Sequence, residues 1–153
     1  MRASFLAMME TTNPKRISRR QLRQHVFSLV YSLEFYDDAD FPVLAERYLD
    51  DNGIQDQQDR EFISQEALSV MKMREKIDQM IDQKSAHWKS RRIARVDLAI
   101  IRLAVYEMLE DKDVPVSVAI NEAVRLAKKY SSETAPAFVN GVLAALIPEQ
   151  TEE

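Results

Sequence analysis

The chain has 153 residues, 46% of them apolar, with no cysteine and a formal net charge of −4 from 21 Lys and Arg against 25 Asp and Glu. That length and apolar content fill one sizeable core, and the lack of cysteine excludes a disulfide framework, a thiolate nucleophile and cysteine metal ligands. Only Gly53 and Gly141 interrupt it as glycines, too few for phosphate-cradling loops or dinucleotide-binding turns, and no apolar run is long enough to span a membrane.

Residues 1–15 show no consistent period and read as a disordered leader. Ser4 to Met9 is too short and too weakly flanked for a secretory signal, so the expected location is cytoplasmic. Ser18 with Gln21 has the form of a capping box, which starts a helix running to about Phe35. The acidic turn Asp37-Asp38-Ala39-Asp40 ends it, and Asp40 with Pro42 starts a short second helix that stops at Asn52-Gly53. A long third helix, expected to kink or break, spans roughly Asp56 to Lys84. The polar stretch Lys84 to Ser90, with Trp88, is the expected boundary between subdomains of about 16–86 and 87–147. Further helices run from Arg92 to Glu110, from Pro115 to about Tyr130, and from Pro136 to before Pro148, with a solvated acidic tail at 148–153. Helical periodicity nearly throughout, with no long β-type alternation, predicts an all-α fold of about six to seven helices.

On the first helix, Leu22, Val26, Leu29, Val30 and Leu33 share one face at 100° per residue and enter a core. Arg16, Arg20, Arg23, Phe27 and Tyr31 line the flank beside it. Guanidiniums and aromatics on an accessible helix edge neutralise phosphates and stack on unpaired bases. The plainer alternative is a solubilising face whose rings belong to the core edge. Charge is segregated along the chain: Lys15 to His25 and Lys84 to Arg95 are cationic and free of acids, whereas Glu34 to Glu61 is strongly acidic. That contrast suits a polyanion bound at one place on a net-negative protein.

Catalysis has little support. His25 and His87 lack metal-ligand spacing, the carboxylates have no histidine or glycine-rich partner, and no cofactor is expected. His25 reads as structural or phosphate-neighbouring, and Trp88 as a core plug rather than a stacking platform.

Three ordered motifs carry a resemblance. They are Arg19-Arg20-x-x-Arg23 with Tyr31; Val96 to Glu107 followed by Val114-Pro115 and Ala119-Ile120-Asn121-Glu122-Ala123; and Phe138-Val139-Asn140-Gly141. From about Ser18 to Ile147 the chain resembles the NusB family of bacterial transcription antitermination factors. The resemblance implies two helical subdomains packed across one another. It also implies binding of single-stranded boxA RNA in rRNA leader transcripts, jointly with ribosomal small-subunit protein NusE in the transcription elongation complex. Arg19, Arg20, Arg23, Tyr31 and Phe138 match RNA-contacting positions, and Asp97 matches an acidic position near the protein-partner face. Ala135-Pro136-Ala137 departs from the family by lacking a serine and a basic residue, which implies fewer phosphate contacts there. Gly141 inside a helix costs about 1 kcal/mol of propensity and implies a close backbone approach. Two other readings stay open: a protein-only helical scaffold or homodimer, and a relative of the N-terminal domains of rRNA methyltransferases.

Overall fold

Ser18 and Gln21 close a reciprocal capping box at the start of the first helix, α1 (Arg19–Leu33). The Gln21 N–H donates to Ser18 Oγ at 3.1 Å, and the Ser18 N–H donates to Gln21 Oε1 at 2.9 Å. The computed structural model describes residues 16–84 and 87–147; the expected leader, with Lys15, and the acidic tail lie outside them. Among the described residues the fold is all-α. After α1 come α2 (Phe41–Asp51), α3 (Gln57–Lys72), α4 (Arg74–Lys84), α5 (Arg95–Glu110), α6 (Val116–Tyr130) and α7 (Ala135–Ala145), with 3-10 turns at Asp38–Asp40 and Ser90–Arg92. None of the described helices is long and apolar enough to cross a membrane.

Local chemistry sets most boundaries. Pro42 occupies the first turn of α2, and Gly53 ends it with φ +67°, while the Ile54 N–H reaches back to the Leu49 carbonyl at 3.0 Å. Asp56 caps α3 by accepting the Asp59 N–H at 3.0 Å. The long helix expected from Asp56 to Lys84 is two helices, interrupted at Met73. The chain divides into two compact units between Lys72 and Met73, so α3 and α4 serve different cores. The described residues of the stretch from Lys84 to Ser90, expected as the boundary, lie in the second unit, where Lys89 Nζ donates to the Asp82 carbonyl at 3.0 Å.

In the first unit α1 packs on both α3 and α2. Leu22, Val26, Leu29, Val30 and Leu33 are buried as expected, against Ala45 and Leu49 of α2 and Phe62, Ile63, Ala67 and Val70 of α3. Each such side chain contributes roughly 1.5–3 kcal/mol of burial energy. Arg60 ties α3 to α2 through Glu46 at 3.0 Å and Asp50 at 2.9 Å, and donates to the Ile54 carbonyl at 2.6 Å.

In the second unit α5 is the central element, packed against α4, α6 and α7. Every residue from Asp97 to Glu107 is buried, so this helix has no solvent face over three turns. Arg102 forks onto Asp78 of α4, with Nε–Oδ1 at 2.9 Å and Nη2–Oδ2 at 2.6 Å. Trp88 is only half-buried.

Before α1, the Arg16 guanidinium reaches Asp59 Oδ1 at 3.0 Å and Asp56 Oδ2 at 3.3 Å, with its side chain 6% exposed. Asp59 also accepts the Ile17 N–H at 3.2 Å. Asp59→Ala removes the acceptor of two Arg16 N–H groups and of the Ile17 N–H, while Arg16 keeps Asp56 and Gln58, so the change should cost about 3 kcal/mol. A thermal melt should fall by roughly 6–12 °C for a chain of this size; an unchanged midpoint would show that this clasp adds nothing.

Candidate nucleic-acid interface

The flank expected to carry Arg16, Arg20, Arg23, Phe27 and Tyr31 is split by the packing of unit one. Because α2 and α3 both cover α1, its buried sector is wider than the five-residue apolar stripe. Arg23 and Phe27 fall inside that sector, at 2% and 4% exposure. Arg16 is committed to Asp56, Asp59 and Gln58, the last at 2.7 Å. These three are therefore structural members of the edge rather than open contact groups. Arg20 is exposed, while Arg19 and Tyr31 are half-buried.

Along this edge the rings form a ladder. Phe27 and Tyr31 have centroids 6.4 Å apart, and Tyr31 meets Phe35 edge-on at 5.3 Å and 77°. Such edge-to-face contacts are favourable and restrict the Tyr31 rotamer. Phe35, at 57% exposure, presents a ring to solvent. Phe35 joins the edge beyond the residues expected from the sequence, and its i+4 spacing from Tyr31 is the signal that marks it. What the edge offers is one exposed guanidinium, a second in part, and a positioned aromatic run.

His25 shares a 2.8 Å hydrogen bond between Nδ1 and the Tyr48 hydroxyl, and their rings meet at 5.8 Å and 74°. Burial pushes its pKa below the ordinary 6.5, so at neutral pH His25 is uncharged and adds nothing to the cationic edge. Among the described residues no group of three or more His, Asp or Glu is placed to hold a metal.

The other expected residues lie in the second unit. Phe138 is half-buried on α7, three residues into that helix. Asp97 is buried in the first turn of α5, where its Oδ1 accepts the Ser131 hydroxyl at 2.5 Å and so fixes the chain leaving α6. Ala135 and Pro136 form the first turn of α7, and Ala135 is buried. The close approach expected at Gly141 is not found: a Cβ there would meet nothing within 4 Å, because the position faces solvent.

These features define an all-α protein of two helical units whose first helix carries a cationic and aromatic edge. The NusB family model matches residues 20–148, and the chain belongs to the NusB family of transcription antitermination factors. A transcription antitermination protein NusB of Agathobacter rectalis is 41% identical over 128 residues, covering 84% of this chain and 98% of that protein. Among solved structures, NusB of T. maritima is 30% identical with a TM-score of 0.75, covering 93% of this chain and 96% of that one. A structure of antitermination factors NusB and NusE in complex with double-stranded RNA aligns at a TM-score of 0.72 and 24% identity, over 84% of this chain and 95% of that one. At that identity the likeness shows the fold.

Three expectations follow from the geometry. Arg23→Ala should lower the melting temperature by several degrees through lost packing of a buried side chain, whereas Arg20→Ala should leave it unchanged. Gly141→Ala should raise stability by about 0.5–1 kcal/mol, since the helix gains propensity without a clash. Finally, a lowered His25 pKa means the unfolded chain binds that proton first. Its contribution to stability is thus present above pH 6.5 and is lost as pH falls through the lower folded value. Urea titrations between pH 7 and 5 should show that loss, and His25→Gln should flatten it.

Proposed function

We propose that this chain is a cytoplasmic antitermination factor that binds the boxA element of rRNA leader transcripts together with NusE, within the transcription elongation complex. The observation that carries the reading is the family match over residues 20–148, which takes in the arginine-rich α1 and the Phe138-Val139-Asn140-Gly141 motif. The edge of α1 supports it chemically. Arg20 and Arg19 supply phosphate contacts, and Tyr31, held between Phe27 and Phe35, supplies a face for an unpaired base. Arg16, Arg23 and Phe27 contribute from behind by holding that edge in place. Phe138 on α7 is the second stacking ring of the proposal. A NusB of the same fold has been solved with NusE and double-stranded RNA, which supports NusE and RNA as partners by analogy of fold. In this reading Asp97 acts through Ser131, shaping the surface offered to the protein partner.

Few phosphates are within reach of so small a set of exposed cations on α1, so binding by this protein alone should be weak and salt-dependent, and should tighten when NusE is added. Titrating boxA RNA at two salt concentrations, with and without NusE, tests this; equal affinity in all four conditions would overturn it. Tyr31→Ala and Phe138→Ala should each cost about 1–3 kcal/mol of RNA affinity with little change in salt slope, because stacking is lost and no phosphate contact is. If either variant loses several degrees of melting temperature along with binding, that ring belongs to the core.

A further inference from the structure

Burial removes two of the arginines that made α1 look strongly cationic, and the exposed positive charge is greater elsewhere. Lys84, Arg91, Arg92 and Arg95 are all exposed in the second unit. The segment that carries them is folded onto the last turn of α4. Lys89 Nζ donates to the Asp82 carbonyl at 3.0 Å, and Asp82 accepts the Ser90 N–H at 2.7 Å and the Ser90 hydroxyl at 3.3 Å. Ser90 is itself buried and opens the 3-10 turn Ser90–Arg92, so Arg91 and Arg92 project from an anchored turn.

Acids are sparse in the sequence around this group. From Lys76 to Tyr106 the sequence holds Asp78, Asp82 and Asp97 as its acids. Asp78 is engaged by Arg102, and Asp97 is buried on Ser131. Asp82 is held by Ser90, whose N–H keeps its carboxyl below the ordinary carboxylate range, so it stays charged and offsets one cation of the group. Lys84, Arg91 and Arg92 thus outnumber the one carboxylate, Asp82, that faces their segment. No exposed large apolar side chain lies in this segment; those of the described residues are Phe35, Tyr36, Val43, Tyr130 and Ile147. Protein interfaces depend on aromatic or aliphatic anchors in desolvated pockets, whereas phosphate contacts need only placed cations.

We propose that Lys84, Arg91 and Arg92 form a second nucleic-acid contact, which holds the sugar–phosphate backbone of RNA without reading its bases. This rests on the RNA-binding reading above and adds to it a site on the other unit. Guanidiniums on an anchored turn lose little freedom on binding and fork onto phosphate oxygens.

The test is a salt series of binding curves for boxA RNA and for oligouridine of the same length, using the full chain. The double variant Arg91→Gln with Arg92→Gln should bind both RNAs about tenfold more weakly at low salt. Its log–log salt slope should be shallower by about 1.4, from two contacts at about 0.7 each on a single strand. Lys84→Gln, which leaves the turn intact, should reduce the slope by about half as much. Arg20→Gln serves as the reference for the α1 edge. Unchanged affinity and slope in the turn variants, with loss in Arg20→Gln, would refute the second contact and leave the RNA reading standing. If wild type shows no salt-dependent RNA binding, both fall. Turn variants that lose NusE binding alone would also overturn the proposal and assign the turn to a protein.

Discussion

The arrangement of the first unit follows from one demand on α1: it must fill a core from two sides and still leave an edge for contact. α2 and α3 both pack on it, and its buried sector runs from Leu29 and Leu22 round to Arg23 and Phe27. Apolar stripe residues alone do not fill the covered sector, so Phe27 and the stem of Arg23 are drawn into it. The edge that survives is narrow, and its rings are braced by one another rather than by a pocket. Arg16 serves a different end, since it fastens the approach to α1 onto the start of α3 and fixes where the edge begins.

What could be read from the residues was what local chemistry decides. The capping box at Ser18, the proline in the first turn of α2 and the left-handed cap at Gly53 each act over four or five residues, and each is found where the sequence places it. The break at Met73 left no such mark. Helix-forming residues run through Lys72, Met73 and Arg74 without glycine or proline, and the interruption reflects which core each side serves. Burial of Arg16, Arg23 and Phe27 was hidden for a related reason. A helical wheel gives the order of residues around an axis but not how many neighbours will cover it. Gly141 shows the limit from the other side, because a glycine in a helix can be explained by packing only if something packs there.

Ion pairs in the two units do unlike work. Arg60 links α2 to α3 from a surface where its partners Glu46 and Asp50 are well solvated, so its value is small and depends on salt. Arg102 and Asp78 form a fork with Arg102 almost wholly out of solvent, and that pair sets the register of α4 against α5. By taking acids inward, such pairs leave the cations beside them to dominate the local field. The acidic stretch from Glu46 to Asp59 is likewise matched in part by Arg16 and Arg60 of the same chain.

A consequence of the all-round burial of α5 concerns how the chain is made. The stretch Leu98 to Tyr106 leaves the ribosome before α6 and α7, the helices that will cover much of it, have been synthesised. During that interval a nearly continuous apolar segment has no partner, which is the condition under which nascent chains aggregate or recruit chaperones. A message truncated after α5 would therefore yield a sticky product rather than a half-functional one.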